Sequence, residues 1–403
     1  MTAAARPAEG AFRTASAANT PLFARIAVFD SFAAAAPAWR ALEAGDVLAT
    51  AYQRFDFLDL WQRHIGEPDG IAPCIAVAFD ANDKPVALLP LGRHVSHGLK
   101  VLGFLGGKHS NFNLGVWRRD VAAAVTEADV RPLLAALEGH GDALILYNQP
   151  MRWRDVANPL LLLPHHASPS MAYRGPLRPD FEELLKERTS NSTRYKMRKK
   201  VKALANKAGP VAFARADSSA AACRVVHEFF AQKSARMKAM GMEDVFGAAD
   251  VRAFIEASVC AMLPNAQPVI EIYELTAGGA TVATMGGMVR DGRFSAMFNS
   301  IPADKFRSES PGEQLLVNMI RTCCERGLDT FDLGVGEASY KDMFCPDEEP
   351  LFDTCLPLSA RGHALVAIER AKSAVKRTIK QNKPLWSAVI RARQWRAALS
   401  RKS

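Results

Sequence analysis

The strongest constraint on the fold is an order of predicted elements that occurs twice along the chain. In each half, helices come before three strands joined by hairpin turns, and a helix and one further apolar strand come after them. Such an order predicts an α/β unit built on a mixed, largely antiparallel sheet flanked by helices. In the first half, strands are expected at residues 74–79, 86–91, 101–105 and 143–147, with a helix at residues 121–137.

The second half repeats this order with clearer turn signals. Gly278-Gly279 and Asp291-Gly292 separate its three strands, and Asp-Gly is typical of a type I′ hairpin turn. A long helix is expected at residues 180–207, because the pair Gly209-Pro210 terminates helices. The other elements are expected at residues 211–214, 220–238, 251–263, 269–275, 281–289, 294–300, 311–326 and 330–334.

The repeat divides the chain into two domains. A length of 403 residues accommodates two to three domains of ordinary size. No apolar run approaches the roughly 20 residues of a membrane span, and Leu160–Leu163 is closed by prolines on both sides, so no transmembrane helix is expected. We predict a disordered lead, an N-terminal domain, a C-terminal domain with the site and a basic helical tail, at residues 1–22, 23–165, 166–360 and 361–403.

Cysteine and histidine usage argues against disulfides and metal ions. The seven cysteines include no CxxC pair, and the nine histidines include no HxxxH pair. Zinc sites show such spacings, and disulfide frameworks normally have an even cysteine count. These patterns predict a reduced, cytoplasmic chain without a metal site.

Clusters of positive charge without acidic neighbours are found in two stretches. Residues 188–207 hold eight basic and no acidic side chains, and residues 370–403 hold eleven basic and no acidic ones. Because the formal charge of the whole chain is only +9, the remainder is net negative. This distribution argues against a general nucleic-acid coat and indicates local anionic partners.

The tail that contains the second basic stretch has its own prediction. Trp386, Val389 and Ile390 lie at helical spacing among its basic residues. A basic amphipathic helix of this kind is typical of attachment to an anionic membrane surface. A solvated helix, or one packed on a domain, is the alternative.

The start of a helix in the second half is the first candidate site. Ser310, Pro311 and Glu313 form the pattern of a capping box with proline at the first helical position. Free N–H groups at such a helix start attract a pyrophosphate, and Lys305 and Arg307 add positive charge. A well-capped helix without a ligand is the alternative interpretation.

Ionisable side chains also cluster around the last strand of the second half. This strand carries Asp332 and ends in glycines, and Glu337, Tyr340 and Lys341 follow within a few residues. Carboxylates, a phenol and an amine beside a strand end are the groups that proton transfer needs. A helix start with ordinary solvated side chains is the alternative.

The first basic stretch is the third candidate. Arg194, Arg198 and Lys202 recur every four residues, so they share one face of the predicted helix. Such a face can grip phosphates, although a solvated basic face is the simpler interpretation.

These three motifs together carry a resemblance to a known family. Residues from about 187 to 345 resemble the acetyltransferase domain of the CelD-type and BioF-like family, which lies in the GNAT superfamily of acyltransferases and is related to the Fem-type peptidyltransferases. The first half, with Leu88-Leu89-Pro90-Leu91 and Leu102-Gly103-Phe104-Leu105-Gly106, resembles that family's degenerate first domain. The matching signature comprises the basic helix, Arg307, Ser310-Pro311-Gly312, Arg326-Gly327, and Phe331-Asp332-Leu333-Gly334 running to Tyr340-Lys341.

The resemblance implies two tandem GNAT-like domains and an acyltransferase that transfers groups other than aminoacyl groups. Acetyl-CoA or another acyl-CoA would be the co-substrate, and an amine or a sugar would be the acceptor, as in an N-acetyltransferase of cell-envelope or exopolysaccharide biosynthesis. Such an enzyme is cytoplasmic or peripheral to the inner membrane. The alternatives are a Fem-like peptidyltransferase that uses aminoacyl-tRNA and a non-enzymatic scaffold.

The resemblance also implies roles for the motif residues. Tyr340 would protonate the leaving thiolate, and Glu337 or Asp332 would take the proton of the acceptor. Backbone N–H groups of residues 294–300 would stabilise the oxyanion. The usual glycine-rich phosphate loop of the superfamily is reduced here to Arg307–Gly312. Coenzyme binding would fall to Asn299, Lys305, Arg307, Ser310 and Gly312, and substrate binding to Lys341, Arg194 and Arg198.

Overall fold

One mixed sheet runs through both halves of the chain in the computed structural model, which describes residues 21–261, 267–303, 305–336 and 343–382. The strands of the first half are β1 (Arg25–Phe29), β2 (Val47–Leu48), β3 (Ala72–Phe79), β4 (Pro85–Ser96), β5 (Leu99–Phe104), β6 (Val116–Arg118), β7 (Ala143–Pro150), β8 (Arg152–Trp153) and β9 (Val156–Ala157). Those of the second half are β10 (His166–Pro176), β11 (Val211–Arg215), β12 (Glu271–Ala277), β13 (Ala280–Arg290), β14 (Arg293–Ser300), β15 (Thr330–Val335) and β16 (Asp347–Pro357).

Helices flank this sheet in both halves. The first half contains α1 (Phe32–Glu43), α2 (Phe55–Trp61), α3 (Arg119–Ala124) and α4 (Glu127–Leu137). The second half contains α5 (Phe181–Arg188), α6 (Asn191–Ala208), α7 (Ser219–Met240), α8 (Ala249–Cys260), α9 (Pro311–Glu325) and α10 (Gly362–Gln381).

The two halves of the sheet meet where β16 inserts between β7 and β10. Along the sheet the main order is β1-β3-β4-β5-β7-β16-β10-β15-β14-β13-β12-β11. β16 pairs antiparallel with β7, for example Leu356 with Leu144, and antiparallel with β10 on its other side. A strand from the second half therefore continues the sheet of the first.

Each half contains one short parallel pair of strands that then separates. In β14 and β15, Arg293 lies opposite Thr330, Phe294 opposite Phe331 and Ser295 opposite Asp332. In β5 and β7, only Val101 opposite Ala143 and Leu102 opposite Leu144 are paired. All four strands continue beyond these pairs, so each half has an opening between two strands of its sheet. The internal repeat expected from the sequence is confirmed by this geometry.

The predicted hairpin turns of the second half are confirmed. Gly278 and Gly279 have φ of 59° and 81°, and Asp291 and Gly292 have φ of 47° and 74°. Positive φ at both central residues is the requirement of a type I′ turn, which explains why glycine and aspartate occupy these positions.

Two helices expected as single elements are each divided. The segment expected as one helix at residues 180–207 forms α5 and α6, because Ser190 accepts a hydrogen bond from the Thr193 amide (3.1 Å) and starts a new helix. In the same way, Thr126 caps the start of α4, so the segment 121–137 forms α3 and α4. Side chains that cap helices inside a predicted helix were the signal for both breaks.

One hydrophobic cluster extends across both halves, and the second half has a further buried cluster of its own. α8 of the second half packs on the first half, where Phe254 contacts the ring of Phe57 with 5.4 Å between ring centroids. α7 joins it with Phe229 and Phe230, which belong to the same buried cluster as Trp39 and many other first-half side chains. The predicted boundary at residues 165–166 stays a prediction.

One expectation about the cysteines is wrong. Cys223 of α7 and Cys260 of α8 are joined by a disulfide, with their Cα atoms 5.5 Å apart. Their separation of 37 residues matches no local motif, so the chain was expected to be fully reduced. The other five cysteines are free and buried.

The first part of the predicted basic tail is packed on the sheet. Leu365 and Val366 of α10 are buried against a cluster that includes Val101 and Ile145. Lys380 donates to the Ser170 hydroxyl oxygen (2.8 Å), which ties the end of α10 to β10. Among the described helices, none combines the length and apolar character needed to span a membrane. Trp386, Val389 and Ile390 lie outside the described residues.

Asp353 is a buried carboxyl group at the junction of the two halves. It lies in an irregularity of the β7–β16 pairing, where its Oδ1 accepts from the amide of Asn148 (2.9 Å). Burial raises the pKa of Asp353 to about 6, although this hydrogen bond and one from Ser168 lower it. The fold therefore favours the protonated carboxyl group.

We expect Asp353→Asn to stabilise the protein in a pH-dependent way. The pKa of Asp353 in the folded protein lies above its ordinary value. The protonated carboxyl group therefore stabilises the fold at pH 4 and below, and this contribution to the free energy of unfolding is lost as the pH rises from about 4 to about 6. Asparagine keeps the acceptor oxygen but does not titrate. The free energy of unfolding from urea denaturation should rise by roughly 1–3 kcal/mol at pH 8 and change little at pH 4. An equal change at both pH values would contradict this account.

Candidate active site

The opening between β14 and β15 is the centre of the candidate site. At its closed end the two strands pair in parallel, from Arg293 opposite Thr330 to Ser295 opposite Asp332. Beyond this pair, β14 continues to Ser300 beside β13, whereas β15 continues beside β10, which Val335 joins at Ala172. Backbone groups of β14 that face the opening are thus not paired with β15.

A buried ionic network closes one end of the opening. Arg293 donates to Asp332 (Nε–Oδ2, 2.6 Å) and to Glu349 of β16 (Nη2–Oε2, 2.7 Å). Arg293 and Asp332 are 5% and 0% exposed, so neither charge is solvated. Burial lowers the pKa of Arg293, but the two carboxylates outweigh it and hold this pKa above its ordinary value. A buried ion pair needs close opposite charges to offset the loss of hydration, and the two carboxylates supply them to Arg293.

Arg293 also joins the two halves of the protein. Its guanidinium lies over the rings of Trp153 and Phe112, at 4.1 Å and 4.8 Å from the ring centroids. Both rings belong to the first half. A cation over a ring face is attracted by the ring's electrons, and the attraction grows when water is excluded.

Asp332, expected as a catalytic base, is fully engaged inside this network. Its Oδ2 accepts from Arg293 and from the Ser295 hydroxyl (2.7 Å), and its Oδ1 accepts from the Gly334 amide (3.0 Å). These contacts hold β14 and β15 in the register at which they start to separate. Asp332 therefore positions the two strands.

Asn111 enters the opening from the first half. Its Nδ2 donates to the carbonyl oxygen of Ala296 in β14 (3.2 Å) and to the hydroxyl of Tyr52 (2.9 Å). A Cβ atom at Gly334 would lie 2.3 Å from the same Nδ2, so glycine is needed where Asn111 approaches β15. The first half thus fills part of the opening of the second.

The predicted capping box at the start of α9 is wrong. Ser310 has φ of 50° and makes no capping hydrogen bond with its side chain, while Glu313 pairs with Lys200 of α6 (2.5 Å). Pro311 does occupy the first helical position, as expected. The left-handed conformation of Ser310 is one that glycine adopts most easily.

Carboxylates near the start of α9 are neutralised by lysines of α6. Besides the Lys200–Glu313 pair, Lys207 contacts both carboxylate oxygens of Glu309 (3.3 Å). The exposed side chains of Lys305 and Arg307 lie in the same loop. Gly312 is half-buried, and a Cβ atom there would lie 3.1 Å from the side chain of Ile301, the residue after β14. The start of α9 therefore adjoins the end of β14.

The basic helix α6 is only partly available to a ligand. Arg194 donates to the backbone and side chain of Thr189 and to the side chain of Asn191, so it holds the junction of α5 and α6. Arg198 is exposed on the same helix.

α7 supports the end of β14 in a way that the sequence did not indicate. Lys233 donates to the carbonyl oxygen of Asn299 (3.2 Å), and burial lowers the pKa of Lys233. The Ser300 hydroxyl donates to Gln232 (2.8 Å). Both contacts span more than sixty residues of sequence, which is why local patterns did not reveal them.

The structure brings together some of the expected site residues and leaves others undescribed. Asn299, Lys305, Arg307, Ser310 and Gly312 lie on one segment from the end of β14 to the start of α9. Glu337, Tyr340 and Lys341 lie outside the described residues, just after β15. Arg293, Asn111 and Lys233 are the contributors that sequence reasoning missed.

Comparison with known families identifies the second half. A family model described as "Acetyltransferase (GNAT) domain" matches residues 191–342, from the start of α6 to beyond β15. The chain therefore contains a GNAT-type acetyltransferase domain, and this domain encloses the opening and α9. No curated protein matches the sequence.

Solved structures of similar fold cover 80% to 85% of this chain. FemX is 10% identical, covers 80% of this chain and 99% of its own, and has a TM-score of 0.52. A conserved protein of unknown function from Bacteroides thetaiotaomicron is 12% identical, with coverages of 82% and 100% and a TM-score of 0.51. The C-terminal domain of a protein described as a lysylphosphatidylglycerol synthetase from Agrobacterium fabrum is 13% identical, with coverages of 85% and 96% and a TM-score of 0.50. At such identities the likeness is one of fold, and the predicted GNAT-like α/β fold is confirmed.

We expect Arg293→Met to be strongly destabilising. The substitution leaves the carboxylates of Asp332 and Glu349 buried without their positive partner, which costs roughly 3–5 kcal/mol. Arg154→Met is the matched control, because it breaks the more exposed Arg154–Asp329 pair (2.6 Å) and should cost at most about 1 kcal/mol. Guanidinium denaturation of both variants measures the difference. Equal losses would show that the buried network is not what holds β14 and β15.

Proposed function

We propose that the chain is an acyl-CoA-dependent acyltransferase of the CelD-type and BioF-like family. Its donor is acetyl-CoA or another acyl-CoA, and its acceptor is an amine, as in N-acetyltransferases, or a sugar of cell-envelope or exopolysaccharide biosynthesis. The observation that carries the proposal is the family match at residues 191–342, which covers the opening between β14 and β15 and the start of α9. A cytoplasmic enzyme, or one peripheral to the inner membrane, has access to such substrates.

The donor's phosphates fit the start of α9. The helix dipole favours negative charge there, and the exposed cations of Lys305 and Arg307 lie in the preceding loop. Glu309 and Glu313 would oppose a phosphate, but each pairs with a lysine of α6. Ser310 and Gly312 complete the loop, and Asn299 at the end of β14 leads from it to the opening.

The thioester then lies in the opening between β14 and β15. Attack by the acceptor's nitrogen or oxygen forms a bond to the thioester carbon and turns the carbonyl oxygen into an oxyanion. Backbone N–H groups of β14 that face the opening can stabilise this charge. Collapse of the oxyanion breaks the carbon–sulfur bond and releases the coenzyme thiolate.

Two proton transfers complete the reaction. The acceptor's proton goes to Glu337, because both carboxylate oxygens of Asp332 already accept hydrogen bonds inside the network. Tyr340 donates a proton to the thiolate. Lys341 and Arg198 bind anionic groups of the substrates, while Arg194 contributes through its position at the start of α6.

Contacts of α6 favour acyl-CoA over aminoacyl-tRNA as the donor. Lys200, Lys207 and Arg194 are engaged with groups of the protein itself, which reduces the positive charge that α6 offers to RNA phosphates. A gel-shift assay with aminoacyl-tRNA at low and high salt tests this alternative. Salt-sensitive tRNA binding without acyl-CoA binding would favour the peptidyltransferase, and binding of neither would favour the scaffold.

We expect Gly312→Glu to abolish acyl-CoA binding. A carboxylate at the start of α9 would repel the donor's phosphates at short range. Gly312→Gln is the matched control, because it has the same size and meets the same Ile301 side chain without the charge. Calorimetric titration with acetyl-CoA should give no heat for the glutamate variant and weakened binding for the glutamine variant. Equal affinities of the two variants would place the phosphates elsewhere.

A second prediction concerns the proton donor. Tyr340→Phe should lower kcat by about 10²–10⁴-fold with little change in KM, as loss of a general acid does. Lys341→Ala should instead raise KM for one substrate. Tyr195→Phe, at a tyrosine of α6 that is 64% exposed, is the control for loss of a hydroxyl group. Full turnover by Tyr340→Phe would leave solvent as the proton source.

A further inference from the structure

A cleft of about 890 Å³ lies in the first half, where β5 and β7 separate, and α10 covers one side of it. The cleft is distinct from the opening between β14 and β15. β5, β7 and α10 supply much of its lining, and the remainder comes from β4, β10, β16, α2 and the segments that hold Ile71, Lys108 and Asn113. It occupies the position in the first half that corresponds to the candidate active site of the second.

Apolar side chains form one wall of the cleft. Val101 and Phe104 of β5 and Ile145 of β7 line it, together with Gly103, where a Cβ atom would lie 3.2 Å from the carbonyl oxygen of Ile145. An aromatic ring and aliphatic side chains at a cleft wall can pack against the C–H face of a ring compound.

Buried polar atoms without partners point to a ligand. Asn113 is 4% exposed, and its Nδ2 donates to the carbonyl oxygen of Tyr147 (3.0 Å). Its Oδ1 has no hydrogen-bond partner within the described parts of the chain, and neither has the hydroxyl of Ser373 in α10, which is 6% exposed. Both side chains line the cleft, as does the buried carboxyl group of Asp353. Unsatisfied buried polar groups are costly, so a ligand that satisfies them would gain affinity.

Positive charge surrounds the rim of the cleft. Lys108 and Lys376 are exposed, whereas Lys372 pairs with Glu369 (2.8 Å) and Lys380 donates to Ser170 (2.8 Å). All four lysines line the cleft. Two lysine ammonium groups are thus available at the rim for an anion.

We propose that this cleft binds a phosphorylated polyhydroxyl compound. Hydroxyl groups of the ligand donate to Asn113 Oδ1 and exchange hydrogen bonds with Ser373, and the ring or chain packs against Phe104. The phosphate lies at the rim against Lys376 and Lys108. A soluble sugar phosphate and the glycerol phosphate headgroup of a lipid share this chemistry. The proposal does not depend on the activity proposed for the second half.

Calorimetric titration of the full chain at low salt tests the proposal. The probes are glucose 6-phosphate, glucose, inorganic phosphate, and vesicles of phosphatidylglycerol and phosphatidylcholine compared with vesicles of phosphatidylcholine alone. Glucose 6-phosphate should bind more tightly than glucose or inorganic phosphate. Vesicle binding that requires phosphatidylglycerol, without binding of glucose 6-phosphate, would assign the phosphate to a lipid headgroup.

Three variants locate the binding. Lys376→Glu should weaken binding at least about tenfold, whereas Lys238→Glu, the same charge change on an exposed position of α7, should alter it less than about twofold. Ser373→Ala removes a hydroxyl that has no partner among the described residues, so the fold should be unchanged while affinity for the hydroxyl-bearing probe falls.

Several results would overturn the proposal. Binding of neither glucose 6-phosphate nor phosphatidylglycerol vesicles would remove the site. Equal losses in Lys376→Glu and Lys238→Glu would show only general attraction to positive charge. The buried polar atoms would not be binding hydroxyl groups of the ligand if inorganic phosphate bound as tightly as glucose 6-phosphate. Unchanged affinity of the Ser373→Ala variant for glucose 6-phosphate would show the same.

Discussion

The ion pair between Arg293 and Asp332 is the interaction on which the architecture of the second half depends. β14 and β15 share only three residue pairs before they separate, so few backbone hydrogen bonds hold them together. The buried pair adds a strong contact at the point of separation, and Glu349 extends it to β16. Because Arg293 also lies over Phe112 and Trp153, the same side chain fixes the first half against the second. An opening in a sheet is thereby held in shape without being closed by strand pairing.

The two openings of the repeated fold differ in what enters them. In the second half, Asn111 reaches across from the first half and hydrogen-bonds β14. In the first half, α10 covers one side and leaves a cleft with lysines at its rim. The two openings therefore share a strand geometry but differ in chemical environment, because different segments of the chain pack against each opening. The basic tail, for which the sequence left membrane attachment and packing on a domain as alternatives, begins with α10, and α10 lies in the wall of that cleft.

Local patterns predicted the fold better than the site. Asp291-Gly292 specified its turn, and the strands β12 to β15 and helix α9 lie close to their expected bounds, because turn residues and apolar periodicity act over short distances. β10 and β16 were not expected, since both are recognised only through partners in other parts of the sheet. Arg293 was missed for the same reason, as Glu349 is 56 residues away. Ser310 and Glu313 matched a capping box in sequence, but a lysine of α6 engages Glu313, and the loop sets the backbone of Ser310.

The central claim is that the second half, and it alone, binds an acyl-CoA donor. Calorimetric titration of the unmodified full chain with acetyl-CoA tests it most directly, because the stoichiometry reports how many of the two openings accept the donor. The account predicts saturable binding of one acetyl-CoA per chain, with competition by free coenzyme A. Two molecules per chain, or no saturable binding of acetyl-CoA or of longer acyl-CoAs, would contradict it.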